Sequence, residues 1–212
     1  AWMCTAIGLG DSWTPEPGFY IGICCFVAVV YTFAIAVISH GRERSLSFRT
    51  AMAGLFSATG IAAGFACLVI LRGISPAVVL TPFIGAFMSD TGAFFAGRAF
   101  GKRKLAPAVS PNKTVAGCIG GFAGSIAGMV IFHLVVKTWF QLDLGWGVIL
   151  LMGVLGSLFG QLGDLSFSVI KREFGIKDYG AIFPGHGGVL DRFDSVLFVA
   201  PAYMLLLFLI LA

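Results

Sequence analysis

Apolar residues in this chain come in long unbroken runs, without the alternation of half-buried strands or the three-and-four rhythm of surface helices. Six runs, at about 19–39, 50–71, 74–97, 115–136, 146–166 and 193–212, each approach the ~20 residues needed to cross a hydrocarbon core. Residues 1–9 are also apolar and read as the tail of an earlier helix, with N-terminal helices missing before it. The pattern predicts an all-α, polytopic integral membrane bundle of about six complete transmembrane helices plus a partial N-terminal one. With no internal repeat and no polar linker, residues 1–212 read as a single membrane domain.

Composition agrees with lipid as the solvent. Hydrophobic residues make up 58% of the chain, charged residues 11%, and mean hydropathy is +0.96. A soluble domain carries about 25% charged residues, so that class is excluded. Twenty-nine glycines suit close approach of helices in lipid. Cys4, Cys24, Cys25, Cys67 and Cys118 lie in or beside apolar stretches with no Cys-x-x-Cys pair, and are read as small buried hydrophobes.

Charge then gives the sidedness. Arg42, Arg44 and Arg49 follow the first run, and Arg98, Lys102, Arg103, Lys104 and Lys113 follow the third. Lys171, Arg172, Lys177 and Arg192 follow the fifth, whereas Arg72 and Lys137 alone fall in the alternate connections. The positive-inside rule makes the side with twelve of the fourteen basic residues cytoplasmic. Topology alone accounts for the first loop. The loops at about 98–114 and 167–192 are longer and mix their cations with Gly, Pro, Asp and Ser, which suits phosphate-bearing ligands.

Acidic residues mark the same boundary. Asp11 and Glu16 lie outside beside prolines, and Asp143 sits in a short outer turn. Asp90, Asp164, Asp191 and Asp194 instead fall near the cytoplasmic ends of the third, fifth and sixth runs. A carboxylate at membrane depth costs at least about 2.5–3.5 kcal/mol, so its presence there points to function. If the fifth run stays helical past the bilayer, Asp164, Ser168 and Lys171 share one face, with Arg172 beside them. Asp191 and Asp194, three apart, share a face at the next helix, an arrangement suited to Mg²⁺ held by carboxylates and substrate phosphates. Helix capping by Asp191 and an Asp194–arginine pair are the structural alternatives. Between them, Phe183-Pro184-Gly185-His186-Gly187-Gly188 forms a glycine-rich turn leading into a helix N-terminus. There His186 is a candidate phosphate donor or acid, or a structural turn residue. His40 and His133 show no partner at useful spacing.

The run Ser168-Val169-Ile170-Lys171-Arg172, then Lys177-Asp178-Tyr179-Gly180, then Phe183 through Asp194, resembles the phosphatidate cytidylyltransferase signature over 27 residues. Upstream, Ser89-Asp90-Thr91-Gly92 to Gly97-Arg98, and Ser110-Pro111-Asn112-Lys113-Thr114, resemble that family's second cytoplasmic segment. The likeness covers roughly residues 80–200. One departure is Ala116, before Gly117, where relatives often carry Glu.

The resemblance implies attack of a phosphatidate oxygen on the α-phosphorus of CTP, with pyrophosphate leaving. It implies Mg²⁺, with a pair of ions as one option, and Asp164, Asp191 and Asp194 as its ligands. Lys171, Arg172, Lys177 and Arg192 would meet phosphates; Arg98, Ser110, Lys113 and Thr114 would meet the nucleotide. It further implies a bacterial plasma-membrane enzyme with its site on the cytoplasmic side and a homodimer, and no nucleic-acid partner is expected. A polyprenol kinase or archaeal-lipid cytidylyltransferase is the nearest alternative. A transporter is the other, but its charges would gather near mid-membrane.

Overall fold

The computed structural model describes residues 17–39, 47–180, 182 and 187–211. The tail at 1–9, Arg42, Arg44, His40, Asp11, Glu16, residues 183–186 with His186, and the side chains of Cys4, Cys24 and Cys25 lie outside the described residues.

Two compact units divide at Ala62/Ala63. The first contains α1 (Pro17–Ser39) and α2 (Phe48–Phe56), followed by a π-turn at Ser57–Ile61. Ser47 caps α2, its hydroxyl accepting from the Thr50 amide at 3.2 Å. The second unit carries the rest: α3 (Ala62–Ile74), a 3₁₀ turn at Val78–Leu80, α4 (Thr81–Phe100), strands β1 (Lys104–Ala106) and β2 (Ser110–Thr114), α5 (Val115–Phe140), α6 (Trp146–Glu173), α7 (Leu190–Phe193) and α8 (Val196–Leu211).

Among the described residues, five helical segments are long and apolar enough to cross a membrane: Phe48–Ile74, Val78–Phe100, Val115–Phe140, Trp146–Glu173 and Leu190–Ile210. The first predicted run corresponds to the 23-residue α1, of which Phe26–Ser39 is described as a shorter apolar helix. The chain is an all-α polytopic membrane protein with one small sheet. That sheet was not expected. β1 and β2 pair antiparallel, Lys104 opposite Thr114 and Ala106 opposite Ser110, with an irregularity between them.

Side chains in the second unit are arranged for lipid outside. Phe94, Phe95, Ile119 and Leu209 are all more than half exposed on their helices. Leu71, Met129, Ile149, Met152 and Tyr203 fill the interior, and the Tyr203 hydroxyl donates to the Met152 carbonyl at 2.5 Å. α4 and α5 touch backbone to backbone. A Cβ on Gly120 would lie 2.7 Å from the Gly92 carbonyl oxygen and one on Gly92 2.9 Å from the Gly124 Cα, distances no side chain tolerates. This contact gives the predicted glycine packing a definite place.

The caps set where the helices stop. The Thr114 hydroxyl accepts from the Gly117 amide at 3.0 Å and starts α5 at the end of β2. Gln141, with φ of 55°, ends α5 in the left-handed conformation. The reversal brings Asp143 to Lys137 (2.7 Å), with the buried His133 at 3.5 Å and its ring edge-on to Trp146. The Lys137 ammonium and the Gly145 amide beside Asp143 hold its carboxyl below the usual range. The sequence shows no partner for His133 at useful spacing; the structure brings Asp143 near across the turn, while both ring nitrogens stay buried without a hydrogen-bond partner among the described residues.

Candidate functional site

The site lies wholly within the second unit, where α4, the β-hairpin, α6 and α7 carry their polar ends. α6 does continue past the predicted span end at 166, reaching Glu173. Asp164, Ser168 and Lys171 consequently occupy one face, and the Ser168 hydroxyl donates to Asp164 Oδ1 at 3.4 Å.

Two cavities open along that face and share Asp90 and Asp164 as a common wall. The larger, about 640 Å³, lies among α4, the hairpin, the start of α5 and α6. Arg98, Ser110, Lys113 and Thr114, the four residues expected to meet a nucleotide, all line it. Gly97, Gly101, Gly117, Phe94 and Leu105 give it an uncharged remainder. The smaller, about 330 Å³, is bounded by Lys171, Lys177, Asp191, Arg192 and Asp194, with Gly187 at its edge. The predicted convergence of Asp164, Asp191 and Asp194 from separate helices is therefore present. Ser168 and Arg172 line neither cavity. Ser168 is buried against Asp164, and Arg172 Nε donates to the Val109 carbonyl at 3.3 Å, tying the end of α6 to the hairpin.

Partners within the site differ from residue to residue. Lys113 reaches across from β2 to pair with Asp164 at 2.5 Å, both side chains partly exposed. Lys171, itself buried, pairs with Asp191 Oδ1 at 2.9 Å. The other Asp191 oxygen accepts from the backbone amides of Tyr179 (2.8 Å) and Gly188 (2.9 Å). This clasp folds the polar loop back onto α6. Gly187 permits it with a φ of +79°, and a Cβ there would sit 3.0 Å from Asp191 Oδ2. Neither helix capping nor side-chain spacing describes this role of Asp191.

Tyr179 completes the clasp. Its ring stacks edge-on against Phe167, its hydroxyl donates to the Phe167 carbonyl at 3.1 Å, and Lys171 Nζ lies 5.4 Å from its centroid. Burial, then the charges of Asp191 and Asp194, push its phenol up to about 12. Asp194 lies at the break between α7 and α8, with Oδ1 accepting from the Ser195 amide at 2.7 Å. Asp90 stands exposed on α4 at the boundary of both cavities, with no hydrogen-bond partner among the described residues.

The donor set bears on a metal ion. Asp90, Asp164 and Asp194 all line the smaller cavity. Yet among the described residues no three Asp, Glu, His or Cys side chains form a metal cage by themselves. One or two carboxylates completed by phosphates and water is the way Mg²⁺ is held with nucleotides, so the residues fit that ion and not an all-protein cage. Cys67 is buried and Cys118, partly exposed, lines the larger cavity; both are free thiols.

Sequence reasoning missed Gln161, which lies between Cys118 and Ser157 and lines the larger cavity. A neutral amide one turn before Asp164 in an otherwise apolar run was the available signal.

Known proteins resemble this chain along most of its length. Phosphatidate cytidylyltransferase of Staphylococcus saprophyticus is 41% identical over 182 residues, covering 86% of this chain and 66% of its own length. The protein of the same name from Staphylococcus aureus is 42% identical over 185 residues with the same coverage. The chain thus spans about two thirds of the length of the curated relatives it matches. Residues 1–210 match the Cytidylyltransferase family. With paired cavities carrying the motif residues and this match over nearly every position, the chain belongs to the cytidylyltransferase family.

Proposed function

We propose that the protein transfers the cytidylyl group of CTP to phosphatidate, producing CDP-diacylglycerol and pyrophosphate in a bacterial plasma membrane, from the cytoplasmic side. The observation that carries this reading is the pair of adjoining cavities with one shared acidic wall. The larger suits a nucleotide: cations at Arg98, Lys104 and Lys113 and an uncharged lining for base and ribose. The smaller, bounded by Lys171, Lys177 and Arg192, suits the lipid phosphate, whose acyl chains stay in the bilayer.

In the reaction, a phosphatidate oxygen forms a bond to the α-phosphorus while the bond from that phosphorus to the α–β bridging oxygen breaks. Pyrophosphate departs with the electron pair. Positioning and charge neutralisation supply the rate, and no covalent intermediate on the protein is needed. Lys113 meets the nucleotide phosphates once it exchanges Asp164 for them. Lys171, fixed by Asp191, presents one cation to the transferring group. Asp90, Asp164 and Asp194 would hold Mg²⁺, one ion or two, which neutralises phosphate charge when bound. Asp191, expected beside them as a ligand, lines the same cavity, and its three donors make it also the anchor of Lys171 and of the glycine turn.

The test is radiolabelled CTP with phosphatidate and Mg²⁺ in purified, detergent-solubilised full-length protein. Labelled CDP-diacylglycerol with stoichiometric pyrophosphate is expected. Release of CDP with a phosphorylated lipid alcohol would identify a kinase instead and overturn the reading.

A further inference from the structure

Gln161 is held in a way that leaves it only one thing to offer. Its side-chain nitrogen donates to the Cys118 carbonyl at 3.2 Å and to the Ser157 hydroxyl at 2.7 Å. A backbone carbonyl only accepts, so the group facing Cys118 has to be the NH₂, and both its hydrogens are used. Ser157 in turn shares a hydrogen bond with Ser89 at 3.0 Å, and both serines are buried, so the chain of contacts is anchored in the core. The carbonyl oxygen Oε1 is left without a partner among the described residues. It is not sealed off either: Gln161 is only partly buried and lines the larger cavity.

We infer that Gln161 is a base-reading residue, its fixed carbonyl accepting a hydrogen bond from the exocyclic amine of the nucleotide's pyrimidine. This rests on the larger cavity being the nucleotide site. Cytosine carries an amino donor where uracil carries a keto acceptor. An acceptor that cannot rotate meets the first with a hydrogen bond and the second with two facing lone pairs. A freely rotating glutamine would accommodate either base; the tether through Cys118 and Ser157 turns an adaptable side chain into a discriminating one. Gln161 lies one turn from Asp164 on the core side, while Lys113 and Arg98 take phosphates nearer the polar ends of the helices. Its immediate surroundings include Gly121, where a Cβ would be 2.8 Å from the Gln161 amide nitrogen, so the helix face opposite leaves space for no other side chain.

The experiment compares kcat/KM for CTP, UTP and N4,N4-dimethyl-CTP in the full-length wild-type protein, Gln161→Met and Ser157→Ala. Wild type is expected to prefer CTP over both analogues. Gln161→Met should narrow the CTP-to-UTP ratio by about 10- to 100-fold, mainly by loss of CTP use. Ser157→Ala leaves the Cys118 carbonyl holding the NH₂, so the preference for CTP should persist but with a smaller CTP-to-UTP ratio, because the amide oxygen is held less firmly. A wild-type protein that uses dimethyl-CTP as well as CTP overturns the inference, whether or not either variant folds. So does Gln161→Met with an unaltered base ratio. A wild-type protein that makes no CDP-lipid at all would instead remove the functional reading on which the inference stands.

Discussion

Replacing Asp191 by Asn tests the clasp directly, because the geometry leaves the amide no good orientation. Three donors converge on the carboxylate: Lys171 Nζ on Oδ1, and the Tyr179 and Gly188 amides on Oδ2. Asparagine has one acceptor oxygen and brings a donor of its own. If its oxygen faces the two amides, its NH₂ faces the Lys171 ammonium; if reversed, two backbone N–H groups face an NH₂. The pair is well shielded, with the Lys171 and Asp191 side chains 11% and 7% exposed. Removing one partner from such a pair costs about 3–5 kcal/mol, because an uncompensated charge stays behind. Misplacing the cation at the transferring phosphate should cost a further ~10²–10³ in kcat. Thermal unfolding in detergent and CDP-diacylglycerol formation measure the two effects separately. The double variant Lys171→Met/Asp191→Asn separates them further: it removes both charges and keeps an oxygen for the Tyr179 and Gly188 amides, so stability should return toward wild type while activity does not. An Asp191→Asn protein with unchanged unfolding and unchanged kcat would refute the clasp as both anchor and catalytic support.

Three further outcomes are expected. Lys113→Ala should raise KM for CTP by about 10- to 100-fold, through loss of a charge-assisted contact, with little effect on KM for phosphatidate; an equal rise for both substrates would remove Lys113 from the nucleotide side. Gly120→Leu should destabilise the protein by at least about 1–3 kcal/mol, read by thermal unfolding, since its Cβ meets the α4 backbone; wild-type stability would contradict the close helix contact. The Tyr179 phenol should titrate near 12 by ultraviolet absorbance. Because that value is raised above the ordinary one of 10.0, its stabilising contribution is complete below pH 10 and is lost as pH climbs through about 12. Tyr179→Phe should abolish that part of the alkaline destabilisation, and a phenol titrating at 10 would show the clasp to be open.

The helices were legible because lipid makes uniform apolar runs the dominant signal, and the single face of Asp164, Ser168 and Lys171 was legible on the condition, met by α6, that the helix runs past the bilayer. The convergence of four acids was legible for the same reason: carboxylates at membrane depth need a purpose. The hairpin was not. Lys104–Ala106 and Ser110–Thr114 are short, contain Pro111, and flank Pro107, so no alternation announces them. His133 finds Asp143 only because Gln141 turns the chain back, a conformation its sequence neighbours do not signal. The partners of Asp191 were hidden because two of them are backbone amides, which exist at every non-proline position and gain meaning only once the loop is folded.

The backbone contact between α4 and α5 has one more consequence. Gly92 and Gly120 meet without any side chain between them, so no rotamer change at this contact can alter how far the Asp90 backbone stands from α5. The spacing acts as a gauge block fixed by atomic radii. A bilayer that thickens, thins or stiffens finds no soft side chain at this contact through which to change the spacing of the two backbones.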